Sequence, residues 1–97
     1  MKILVIEDEK KVANFIKRGL EEDGYKVTIV TDGAEGCKVA MGGEFSLVIM
    51  DWMLPKKDGL TIVKELRDAG RQIPVLMLTA RGSTDDIVSG LDAGSDD

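Results

Sequence analysis

No histidine occurs among the 97 residues, and cysteine occurs once, as Cys37. The first absence removes a Ser-His-Asp triad, a Cys-His pair, a His-ligated zinc site and a histidine phosphocarrier from what this chain can build alone. The second removes internal disulfides, Cys₄ zinc sites and iron–sulfur centres, and it fits a reducing compartment. Aromatic residues are scarce at 4% against a hydrophobic fraction of 43%, so the core of a soluble domain would be aliphatic. Basic residues never run beyond two together (Lys10-Lys11, Lys17-Arg18, Lys56-Lys57), and 13 Lys+Arg against 18 Asp+Glu leave a net charge of −5. That balance argues against direct nucleic-acid binding by this chain. Long apolar runs are missing too: Met1-Lys2-Ile3-Leu4-Val5-Ile6 meets Glu7-Asp8-Glu9 too soon for a signal-peptide core. A soluble, cytoplasmic protein with no membrane partner is expected.

The length allows one domain, spanning residues 1–97 and burying roughly 60 to 65% of its unfolded surface. Four short apolar runs recur, at residues 3–6, 27–30, 47–50 and 75–78, without polar alternation, which predicts strands buried on both faces. Helical spacing lies between them. Val12, Phe15, Ile16 and Leu20 predict a first helix ending at Gly24, while Ala34, Cys37, Ala40 and Met41 predict a second closed by Gly42-Gly43. Leu60, Val63, Leu66 and Arg67 predict a third, stopped by Gly70 with Pro74 soon after, and a fourth helical stretch covers residues 83–91. Strands alternating with such helices imply right-handed crossovers and a parallel sheet with helices on both faces.

In such a sheet, ligands bind outside the carboxyl ends of the strands. Strand one ends in Glu7-Asp8, strand three in Asp51 and strand four in Thr79-Ala80. If strands one and three are neighbours, three carboxylates converge, and each pair at about 4 Å would repel by about 4 kcal/mol at an effective dielectric near 20. Such a site demands a cation or a proton. All-oxygen ligands without histidine or thiolate suit a hard ion, and a small, partly hydrated site favours Mg²⁺. The competing structural role is helix capping by Asp8 or Glu9, for the helix beginning near Lys10. Asp51 has nothing local to cap, since the next helix waits until after Asp58-Gly59. Cys37, at helical spacing with Ala34 and Ala40, reads as core rather than redox-active. Met50, Met53 and Met77 read as fillers, and Trp52, beside Asp51, as an exposed-side reporter.

Ile3-Leu4-Val5-Ile6-Glu7-Asp8-Glu9, Leu47-Val48-Ile49-Met50-Asp51-Trp52-Met53-Leu54-Pro55 with Asp58-Gly59, Pro74-Val75-Leu76-Met77-Leu78-Thr79-Ala80-Arg81 and Gly90-Leu91-Asp92-Ala93-Gly94-Ser95-Asp96-Asp97 resemble the receiver domain of two-component response regulators. The wording is closest to the OmpR/PhoB type, whose receivers precede a winged-helix DNA-binding domain. The resemblance implies a flavodoxin-like doubly wound fold with strand order 2-1-3-4(-5). It implies Asp51 as phosphoacceptor from a sensor histidine kinase, and Mg²⁺ held by Asp8, by Glu7 largely through water, by Asp51 and by the Met53 backbone carbonyl. Thr79, with Ala80 beside it, would contact the phosphoryl group, and a C-terminal output domain would regulate transcription. Departures accompany it: the family's fifth strand and helix, its switch aromatic and its lysine after strand five would all follow Asp97. A terminal helix contributes on the order of 8 to 12 kcal/mol through about four or five buried side chains, comparable with a small domain's whole stability. The chain is therefore expected to be a receiver incomplete at its C-terminus, poorly phosphorylated for want of the lysine. Ile87 and Ser89 stand where basic residues are frequent at the family's dimer face, so a homodimer, a swapped oligomer and a core-facing Ile87 all stay open. The alternatives are a phosphorylation-independent receiver-like interaction module, a nucleotide- or flavin-binding domain, and a Mg²⁺-dependent aspartyl-phosphate phosphatase. The acidic first loop argues against phosphate cradling, and Met53 stands where such a phosphatase carries a second acid.

Overall fold

The computed structural model describes residues 1–78, in the order β1 (Lys2–Ile6), α1 (Lys10–Glu22), β2 (Lys26–Val30), α2 (Gly33–Gly42), β3 (Leu47–Asp51), α3 (Gly59–Asp68) and β4 (Val75–Leu78). The strands form one parallel sheet ordered β2-β1-β3-β4, the order implied by the resemblance. Thr79, Ala80, the stretch at 83–91, Ile87, Ser89 and the final motif at 90–97 lie outside the described residues. Among the described residues, no helix is long and apolar enough to cross a membrane.

Side chains alternate across each strand, so one run of aliphatic residues supplies two cores. Leu4, Ile6, Val48, Met50, Val75 and Met77 pack with Cys37 and Ala40 of α2 and Ile62, Val63 and Leu66 of α3. Ile3, Val5 and Ile49 face the other way, against Ala13, Ile16 and Leu20 of α1. At roughly 1.5–3 kcal/mol for each fully buried aliphatic side chain, these two layers dominate the favourable side of folding. Small residues on α2 let it lie close to the sheet: a Cβ on Gly36 would come within 2.6 Å of the Ile6 side chain.

The helix boundaries have local causes. Asp32 and Asp58 cap α2 and α3, their Oδ1 atoms accepting from the N–H of Glu35 at 2.7 Å and of Thr61 at 2.8 Å. Helices α1 and α3 both exit through a left-handed glycine, Gly24 at φ 90° and Gly70 at φ 80°, with the next N–H reaching back to the Leu20 and Leu66 carbonyls.

Two expectations are corrected. The face of α1 is not the stripe of Val12, Phe15, Ile16 and Leu20: Phe15 is 79% exposed and Val12 38%, while Ala13 is buried. The packed row runs through Ala13, Ile16 and Leu20, with the small Ala13 the most buried of them. Strand β2 is not buried on both faces either. It stands at the edge of the sheet, and Lys26 and Thr28 are exposed while Val27, Ile29 and Val30 are half-buried.

Candidate functional site

The parallel register carries the acidic strand ends to one edge. Ile6 pairs with Met50 and also with Val30, so the residues that follow Ile6 and Met50, Glu7 and Asp51, continue side by side. Glu7 extends the ladder beyond β1, its N–H donating to the Val30 carbonyl at 3.0 Å, and its side chain is buried. Asp8 is exposed and Asp51 half-buried. Carboxylate oxygens of the three lie within 4.8 Å of one another, as the sequence led us to expect if strands one and three were neighbours. Capping does not account for them. Glu9 occupies the cap position of α1 without any side-chain hydrogen bond, and its N–H instead donates to Glu7 Oε2 at 3.0 Å.

Burial, with crowding added to it, raises the proton affinity of Glu7 and Asp51. Glu7 is pushed from 4.5 up to about 7, first by burial and then by the charges of Asp51 and Asp8, against the opposing Glu9 N–H. Burial also lifts Asp51 above the ordinary carboxylate range, with Asp8 adding to it, while the backbone N–H groups of Trp52 and Met53 oppose the shift. All-oxygen donors, closely spaced and partly dehydrated, fit a hard divalent cation that would relieve their repulsion.

The loop over residues 52–58 borders the carboxylates. Trp52 is half-buried against the α2/α3 core, so it is less exposed than expected. Met53 is corrected as a filler: its side chain is 73% exposed, because the chain has already left the sheet, whereas Met50 and Met77 are fully buried. Cys37 is buried as expected, and burial pushes its thiol up, away from thiolate chemistry. No motif or periodicity signals the ion pair between Lys57 Nζ and Glu65 Oε1 at 2.8 Å, nor the bond from Gly33 to the loop. Lys56-Lys57 registered only as a short basic run. Thr79 and Ala80 lie outside the described residues.

The family model of the response regulator receiver domain matches residues 3–97. The transcriptional regulatory protein DltR of Streptococcus agalactiae serotype III is 44% identical over 97 residues, covering 100% of this chain and 43% of that protein. CusR of Escherichia coli K12 is 43% identical with the same coverage. The chain thus spans less than half the length of these curated relatives. Among solved structures, the Francisella response regulator 1452 receiver domain superposes with a TM-score of 0.89 at 40% identity, over 99% of this chain and 79% of that one. The receiver domain of the sensor histidine kinase PA1611 from Pseudomonas aeruginosa PAO1, with a magnesium ion coordinated in its active site cleft, gives 0.85 at 34% identity, over 99% and 80%.

Proposed function

The chain belongs to the response regulator receiver domain family, and from that membership we propose that it accepts a phosphoryl group on Asp51 from a histidine kinase, in a Mg²⁺-dependent reaction. The observation that carries this reading is the convergence of Glu7, Asp8 and Asp51 within 4.8 Å at the carboxyl edge of the sheet.

The chemistry asks little of the protein beyond position and charge. An Asp51 carboxylate oxygen attacks phosphorus, the phosphorus–nitrogen bond of the kinase phosphohistidine breaks, and its electron pair stays on the imidazole nitrogen. The product on Asp51 is an acyl phosphate. Asp51 must be ionised to attack, so the burial that raises its proton affinity has to be offset. Asp8, Glu7, Asp51 and the Met53 carbonyl would hold the Mg²⁺, which when bound supplies positive charge to the carboxylates and to the phosphoryl oxygens. Glu7 sits furthest from solvent and orients through its bond from the Glu9 N–H. Thr79, with Ala80 beside it, would meet the phosphoryl group.

In the whole protein we assign the phosphorylated state to the control of transcription through a C-terminal output domain, in keeping with the transcriptional regulatory proteins that this chain resembles. Such a domain is regulatory rather than enzymatic, and its site of action is the cytoplasm, where kinase phosphohistidines are made. An aspartyl-phosphate phosphatase is disfavoured, since Met53 stands where its second acid would be.

The test is label transfer from acetyl phosphate or a phosphorylated kinase. Incorporation is expected to require both Mg²⁺ and Asp51, with Asp8→Ala raising the Mg²⁺ needed. In the whole protein, label retained by Asp51→Asn, or none in the wild type, would overturn the assignment.

A further inference from the structure

The loop beside the three carboxylates is clipped at its base and at its tip. At the base, the Gly59 N–H donates to the Trp52 carbonyl at 3.0 Å, and a Cβ on Gly59 would meet the Asp51 carbonyl at 2.8 Å. At the tip, the Pro55 carbonyl accepts twice, from the Gly33 N–H of α2 at 3.0 Å and from the Lys57 N–H at 2.8 Å. Between those two residues Lys56 takes the left-handed φ of 71°, which a lysine does not adopt unless its neighbours hold it. The Lys57 side chain then crosses to α3, its Nζ lying 2.8 Å from Glu65 Oε1. The same oxygen is 3.9 Å from Cys37 Sγ of α2, so one carboxylate joins the loop, α2 and α3.

We propose that Lys57 and Glu65 are a positioning pair: by holding the loop tip against α2 and α3, they fix the backbone around Met53 and so set the cation affinity of the Glu7, Asp8 and Asp51 crevice. The inference rests on the reading of that crevice as a Mg²⁺ site. Neither residue touches the crevice, and both act through the backbone between Trp52 and Gly59. Glu65 and Lys57 are each partly shielded from water, with side-chain exposures of 41% and 27%, so the pair is less screened than a fully solvated one. The hydrogen bond from Lys57 to Glu65 also raises the lysine's proton affinity and keeps it charged.

A pair in this setting converts to at most about a fivefold change in an equilibrium. Glu65→Gln and Lys57→Met in the 97-residue chain are expected to raise the Mg²⁺ half-saturation of Trp52 emission by about three- to fivefold. Without metal, the same variants are expected to speed hydrogen exchange at the Gly33 N–H by a similar factor. Lys57→Arg should restore both readouts, and the double variant should exceed neither single one. A merely structural pair would lower the denaturant midpoint while leaving half-saturation and Gly33 exchange unchanged, and that result overturns the proposal. So does Lys57→Arg behaving like Lys57→Met. If wild-type Trp52 emission ignores Mg²⁺, or Asp8→Ala responds as the wild type does, the reading of the metal site fails. The positioning role falls with it, whereas a normal wild-type titration with unmoved variants defeats the pair alone.

Discussion

Raising the pH from about 5 to about 8 without metal should destabilise this protein, chiefly through Glu7. Its ordinary value of 4.5 rises to about 7 in the folded chain, chiefly because burial disfavours the charge. Between those values the folded state holds a proton that the unfolded state has released. Stability contributed by the protonated group is therefore complete below about pH 4.5 and is lost as the pH climbs through about 7. At about 1.36 kcal/mol per pH unit, the whole shift caps the loss at about 3 kcal/mol. Asp8 is exposed and Asp51 only half-buried, so water reaches the crevice and we expect about half that, or 1–2 kcal/mol.

The measurement is urea unfolding followed by circular dichroism, in EDTA, for the wild type and Glu7→Gln. Glutamine imitates the protonated acid and cannot ionise, so the two proteins should match near pH 5, with the variant ahead by about 1–2 kcal/mol near pH 8. Acid effects of carboxylates remote from the crevice cancel in the difference. Because a cation competes with protons for the same oxygens, saturating Mg²⁺ should stabilise the wild type more at pH 8 than at pH 5. Parallel stability curves for the two proteins from pH 5 to 8 would refute the reasoning, since Glu7 would then be neither buried as a charge nor repelled by Asp51.

Three further substitutions test the packing of the loop and of α1. Lys56→Gly removes a side chain from a left-handed φ of 71° and should raise the urea midpoint, by an amount equivalent to about 0.5–1 kcal/mol. Gly33→Ala places a Cβ against the Lys57 backbone carbonyl, so α2 or the loop must move; a loss of about 1–3 kcal/mol is expected in the same assay. Phe15→Ser should change stability by less than about 0.5 kcal/mol, because the ring is 79% exposed; a larger loss by urea unfolding would mean that Phe15 is packed after all.

What was legible in the sequence follows from where single residues carry the information. Ile3, Leu4, Val5 and Ile6 announce a strand with helices on both sides because every position is apolar, and each is at most 2% exposed. Glu7, Asp8 and Asp51 were legible as a cluster because they stand at strand ends, Glu7 and Asp8 just after β1 and Asp51 as the last residue of β3, and the two strands are parallel neighbours. The face of α1 was not legible. Val12, Phe15, Ile16 and Leu20 form a good apolar stripe, but a stripe does not say which of its rows meets a sheet, and the small Ala13 decided it. The exposure of β2 depends on its having one neighbour, which is a property of strand order rather than of Val27, Ile29 and Val30. Lys57 and Glu65 meet only because the loop turns at Lys56, and no periodicity encodes a left-handed lysine.

A buried glutamate at the end of β1 is a local inconsistency of the kind that marks function. An isoleucine in that place would continue the core; Glu7 instead gives the metal-free fold a crevice in which burial and the neighbouring carboxylates favour a proton. The instability is confined, because the rest of the edge is rigid: Trp52 pairs with Leu78, Gly59 closes on Trp52 and Pro55 is tied to Gly33. A change in charge at Asp51 therefore acts on stiff surroundings and must be relieved either by a cation or by movement of the few groups that can move. Repulsion among three carboxylates, on a scaffold clipped at these points, is thus relieved by a proton or a cation.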